Sequence, residues 1–218
     1  SDMGIFRSNT NINNELFTLK SPALMTEVVR RLRLNETYTV RKGLKNVDLY
    51  KANPVAVTFG EVMEKPVSFT IRIDSKDAFT ISGLKVAGVE SENTFAGRMG
   101  DSIQTAAGTL FISPTKFYSD ACIGTSIRYA IGKADAAADR YLHALRVELG
   151  SKEATIINLS INDTSIARAE DILNTLIEVY NEKWIQDKNQ IAVSTSQFIG
   201  DRLSVIESEL GHVDENIS

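Results

Sequence analysis

Cysteine is nearly missing from this 218-residue chain. The one present, Cys122, excludes an internal disulfide and any cysteine-based metal cluster, but it does not decide the redox compartment, since proteins of oxidising compartments need not carry disulfides. It has no histidine near it in sequence and reads as an inert thiol. Histidine is almost as scarce. His143 and His212 are far apart and offer neither HExxH nor a paired-ligand spacing, so no metal centre is expected and His143 reads as a surface or half-buried residue rather than a catalytic base. Phosphate-cradling glycine motifs are missing too: neither GxxxxGK[ST] nor a strand-to-helix GxGxxG occurs, and no nucleotide or other cofactor is expected. No run approaches the roughly 18 to 20 apolar residues of a membrane-spanning helix, and the opening SDMGIFRSNT is not a signal peptide. Positive charge is not in excess. The 24 Lys and Arg are scattered among 28 Asp and Glu for a net charge of −4, which leaves no basic stripe for nucleic acid or an anionic membrane surface.

What remains is an ordinary globular composition, 43% hydrophobic, enough for the core of one large domain or two small ones. Residues 12 to 34 carry Leu16, Leu19, Met25, Val28, Val29 and Leu32 largely at helical spacing. Ser21 followed by Pro22 marks a restart, with a side-chain cap expected from Ser21 and a proline where its missing N–H costs nothing. A short helix and a longer one follow from this. From about 38 to 90 the period is two: VAVTF (55–59) and VSFTIRI (67–73) alternate, and IDSKDAFTIS supplies a turn and a partner strand, so a meander is the simplest topology. Residues 89–108 are polar, glycine-rich and aperiodic, which predicts a long mobile loop. Strands resume at TLFISP and TSIRYAIGK, ADAAADRYLHAL is a short helix, and RVELG and ATIINLSIND are strands again. Without a regular strand–helix–strand repeat the expected class is α+β: a mixed, mainly antiparallel sheet packed by helices.

No proline follows Pro114, and from Ser165, a reasonable N-cap, one helix is predicted to the end of the chain. Glu170 and Asp171 lie near its positive end. Ala169, Ile172, Leu173, Leu176, Tyr180 and Trp184 make a broad face for packing on the sheet. Beyond them only a narrow seam follows, Ile199, Leu203, Ile206, Leu210, Val213 and Ile217, at alternating steps of four and three. A continuous helix would cover about 54 residues, roughly 80 Å at 1.5 Å per residue, so its outer part is expected to project. The domain expectation is therefore a base domain over 1–164 and a helix over 165–218 that packs on it and then leaves it, cut from something longer. The uncovered seam is the specific functional signal, and it points to assembly. Acid pairs such as Glu90 and Glu92 read as solvated charges, because catalysis on a glycan would need two carboxylates facing across a cleft.

Three stretches carry a family resemblance. INNELFTLKSPALMTEVVRRLRL resembles the pattern after the first membrane span of bacterial polysaccharide co-polymerases, with an acidic residue, Leu-Lys-Ser and a paired-valine helix ending in Leu-x-Leu. VDLYKANPVAVTF resembles the following Tyr, Asn-Pro and strand. TIINLSINDTSIARAEDILNTLIEVYNEKWIQDKNQIAVSTSQFIGDRLSVIESEL is similar to the Wzc-type exopolysaccharide transport proteins of Bacteroides-like bacteria, where a strand runs into an Asp, a capped Ala-x-x-Ile/Leu-Asn helix, a Tyr-Asn and a long helix. Ile166 stands where the family usually has proline. The resemblance spans nearly the whole chain and is weakest over 89–124. It implies a non-catalytic periplasmic portion of an inner-membrane protein, a Wzz-like chain-length determinant domain. Copies of such a domain form a homo-oligomeric ring that controls length or export of a capsular or exopolysaccharide, with the polymerase and export machinery, and the polysaccharide itself, as further partners. It also implies that the full-length protein can carry a cytoplasmic tyrosine-protein kinase, none of which lies in this sequence. The alternative is a sensory or binding module, acting through the 89–108 loop, that regulates such a kinase.

Overall fold

The computed structural model describes residues 12–151 and 156–215, with side chains to residue 209. The fold is α+β. Two compact units are distinguished, Ser1–Leu176 and Ile177–Ser218.

The first unit opens with helix α1, residues 12–19, and helix α2, Pro22–Leu32. Pro22 starts α2 as expected, but Ser21 makes no side-chain capping bond. Proline at the first helical position has no N–H to satisfy, so one of the helix's unpaired donors is absent without any cap. Leu24, Met25, Val28 and Val29 bury the inner face of α2, which packs on α3, Ala134–Ala144. The turn after α2 is left-handed at Arg33 (φ 53°). From there the Arg33 guanidinium reaches both Glu36 Oε1, at 3.0 and 2.6 Å, and the Val57 carbonyl, at 3.2 Å. One side chain thus joins the end of α2 to two strands.

Seven strands make the main sheet: β1 (Glu36–Lys42), β2 (Lys45–Asp48), β4 (Val67–Ile73), β5 (Ala78–Val86), β6 (Val89–Glu90), β7 (Phe95–Arg98) and β10 (Ser126–Ile131). Their order is β2-β1-β10-β4-β5-β6, with β7 also on β5, and all these pairings are antiparallel. The expected simple meander holds only from β4 to β5 and its hairpin partners. The distant β10 enters between β1 and β4, because Ile127 and Tyr129 alternate in phase with Val40 and Tyr38 on one side and with Ile71 and Phe69 on the other. Meanwhile β3 (Val55–Phe59) leaves to form a three-stranded sheet with β9 (Gly108–Pro114) and β8 (Ser102–Thr105). Val55, Val57, Leu110 and Ile112 on this small sheet and Phe69, Ile71, Ile81 and Ile127 on the large one share a single buried cluster, each such side chain contributing about 1.5–3 kcal/mol. A separate hairpin pairs β11 (Leu145–Leu149) with β12 (Ile157–Ile161).

The predicted loop over 89–108 is a correction. It contains β6, β7 and β8, whose backbone groups are satisfied by β5 and β9 rather than by each other. Pairing to long neighbours makes strands of a polar stretch without a period of its own. Gly97 serves packing there rather than turning: a Cβ on it would stand 2.4 Å from Ile103 Cδ1 and 2.9 Å from Phe79 Cζ.

Helix α4, Ile166–Glu215, continues without interruption for 50 residues. Ile172 and Leu176 on it are fully buried, as the predicted packing face requires, and Ala169 and Leu173 are half-buried. Trp184, expected on that face, is 50% exposed instead. No described helix is long and apolar enough to cross a membrane.

Candidate functional site

Two features of α4 bear on function: the polar cluster that fastens its first turns within the first unit, and the bare apolar surface of its later turns.

The fastening begins at the cap. Ser165 Oγ accepts the Arg168 N–H at 3.3 Å, as the sequence predicts, and Asp163 Oδ1 accepts the Ser165 N–H at 2.8 Å. Arg168 then forks onto Asp163, with Nε and Nη2 donating at 2.7 to 3.0 Å, while its Nη1 donates to Asp48 at the end of β2. Its guanidinium also lies over the Tyr50 ring, 5.6 Å from the centroid. One turn on, Asp171 accepts the Tyr50 hydroxyl at 2.8 Å and pairs with Lys51 at 2.7 Å. The segment after β2 and the start of α4 are thereby joined by two carboxylate bridges.

Electrostatics follow the geometry. Burial pushes the Asp163 carboxyl up, but the Arg168 fork and the Ser165 N–H outweigh it and hold it below the ordinary carboxylate range. Lys51 foremost holds Asp171 below that range, outweighing burial, and the Tyr50 hydroxyl adds to its effect. The Tyr50 hydroxyl is raised by burial and by the Asp171 carboxylate that accepts its hydrogen bond. The charges of this cluster are compensated within it, and a depression of about 150 Å³ beside it is lined by Asp48, Tyr50 and Lys51 together with Arg33, Glu36 and Tyr38.

The second unit is the later part of α4, and every residue over 181–209 is exposed. Of the expected seam, Ile199, Leu203 and Ile206 lie bare on the helix, 46% to 55% exposed. Leu210 and Val213 fall where side chains are not described, and Ile217 lies outside the described residues. The structure adds a line that the reading by fours and threes missed. Trp184, Ile191, Phe198 and Val205 recur at steps of seven and are 50% to 64% exposed. Beside them Ile185, Ala192, Ile199 and Ile206 recur at the same step. With seam positions named a and d, the new line is c; c and d lie about 100° apart on the circumference, and the a line, polar at Asn189 and Ser196, adds an apolar position at Leu203. A search at period seven rather than for alternating steps would have found it in the sequence.

The chemistry-bearing residues considered above are not gathered. His143 is exposed on α3 with a ring nitrogen 2.8 Å from the Asp139 carbonyl of its own helix. Cys122 is half-buried beside Ser119 and Phe117, and His212 belongs to the stretch whose side chains are not described. Among the described residues no group of His, Cys, Asp and Glu could hold a metal ion. Compared with known families and with curated proteins, the chain matches no family model and no curated sequence.

Proposed function

We propose that this chain is a non-catalytic periplasmic domain of an inner-membrane polysaccharide co-polymerase, and that α4 assembles with other copies to govern the length or export of a capsular or exopolysaccharide made by a separate polymerase. The reading rests on the Leu-Lys-Ser, Asn-Pro and strand-to-long-helix motifs, and on one physical observation that carries it: the c and d lines of α4 are apolar yet exposed over 184–206, joined on the a line by Leu203. A two-stranded coiled coil needs only the a and d lines. The added c line widens the apolar surface beyond that seam and suits a helix that meets two neighbours, as in an assembly of more than two copies. The domain contributes its contacts and no reaction step, and the polymerase and export machinery are its partners in the membrane.

Light scattering on the protein carrying its membrane anchors tests this, since anchoring supplies the effective concentration that weak helix contacts need. Oligomers are expected for the unaltered protein. Leu203→Asp should give monomers while the melting temperature stays within a few degrees of the parent. Monomers alone for the unaltered protein would overturn the reading, and so would an aspartate at Leu203 that unfolds the domain, which would make the surface part of the core.

A further inference from the structure

The sequence scatters its cations, yet the fold collects three of them. On the main sheet Ile127, Tyr129, Ile71, Ile73 and Val40 point into the buried cluster, so the alternate residues of the same strands face the other way. Arg128 of β10 stands on that outer face, paired with Thr39 of β1 on one side and with Thr70 of β4 on the other. Ser126, two residues earlier, pairs with Arg72 of β4, and Arg41 of β1 pairs with Asn46 of β2. Arg41 and Arg72 are thus diagonal neighbours of Arg128 on either side, about 7–8 Å away by strand geometry.

All three arginines are exposed. Arg72 is matched by Asp74 at 2.6 Å. Asp48, in the Thr39 row, is taken by Arg168. Arg41 donates to the Gly43 carbonyl at 3.2 Å, and among the described residues neither Arg41 nor Arg128 has a carboxylate partner. Between them lies a depression of about 270 Å³ lined by the hydroxyl, amide and guanidinium groups of these strands, by Val40 and by no acid. Like charges within reach of one another across a sheet repel, and an anion laid between them offsets that.

We propose that this outer face binds an acidic oligosaccharide, its carboxylates on Arg128 and Arg41 and its hydroxyls on Thr39, Thr70, Ser126 and Asn46. The guanidinium fork fits a planar carboxylate with two parallel bonds. The neutral lining both donates and accepts, as a polyol needs. Stacked bases are disfavoured, because the aromatic rings of these strands, Tyr38, Phe69 and Tyr129, belong to the core side, and single-stranded nucleic acid would want them on the open one. This inference deepens the polysaccharide reading above and rests on it for the choice of a glycan.

Calorimetric titration of the chain tests it with three probes: oligogalacturonate, a maltooligosaccharide of equal length, and sodium phosphate. Oligogalacturonate is expected to bind, to weaken as salt is added, and to lose at least tenfold in affinity in Arg128→Gln and in Arg41→Gln. Both positions are exposed, and thermal melts check that each variant is folded. Arg146→Gln, on the exposed side of β11, should bind as the parent does. Absence of oligogalacturonate binding at millimolar concentration overturns the proposal. So does equal binding of the neutral sugar, phosphate binding of equal strength with the same arginine dependence, or unchanged affinity in both variants. Leu203→Asp separates this from the assembly reading: it should leave the titration unchanged, and if it abolishes assembly while oligogalacturonate fails to bind, only the glycan face falls.

Discussion

Arg168 is the residue on which the start of α4 depends. Its side chain is 11% exposed and the Asp163 side chain 5%, so removing one member leaves a nearly buried charge without its partner. Arg168→Ala should cost about 3 kcal/mol of stability, read by urea denaturation. Asp163 and Asp171 fix the sign of a pH effect. Their folded carboxyls titrate below the ordinary range, so the unfolded chain takes up protons first as the solution is acidified. Their contribution is complete above the unfolded value of about 4 and is lost as pH falls through the lowered folded values. Glu36, raised by burial despite Arg33, acts with the opposite sign. The melting temperature should fall between pH 5 and pH 3, and the fall should be shallower in the Asp163→Asn and Asp171→Asn double variant. An equal slope in both proteins would remove these carboxylates from the account. Tyr129 offers a reverse case: its hydroxyl is buried with no partner among the described residues, inside a cluster with Tyr38 and Phe69, each 5.0 Å away between ring centres. Tyr129→Phe removes an unmet hydrogen-bonding group, and the variant should be as stable as the parent or about 1 kcal/mol more so in the same denaturation experiment.

Gly97 sets the limit on how closely β7 can lie against the Phe79 and Ile103 side chains. Gly97→Ala should cost about 1–3 kcal/mol through overpacking, measured by denaturation; a neutral result would mean that Ile103 can move aside. At this scale the sequence was legible where period alone decides. The restart at Pro22, the inward side of β4, the short α3 and the Ser165 cap all follow from local spacing. What could not be read depended on distant partners. β10 is an ordinary alternating strand, and nothing within it says that it belongs between β1 and β4. β7 and β8 have no period to find, since β5 and β9 supply their bonds. The carboxylate bridges escaped for the same reason: Asp48 and Asp163 stand far apart in the chain and meet only through Arg168. Three arginines on three strands likewise look scattered until the register lines them up. The c line of α4 is different, being fully present in the sequence at period seven and hidden only by a search for alternating steps.

For the whole molecule, the first unit builds its own cores and fastens the start of α4, while the second presents apolar lines that its own residues leave bare. That division suits a domain whose folding and assembly are separable, and it is why substitutions on the bare lines are expected to spare the fold. Cross-linking tests this most directly. In a Cys122→Ser background, with the chain tethered to liposomes by its N-terminus, a single cysteine at Leu203 or at Ile206 should form disulfide-linked dimers on mild oxidation. A cysteine at Ser204, on the polar side of the same turn, should not. Dimers formed equally at all three positions, or at none across the range of tether densities, would contradict an assembly surface on α4.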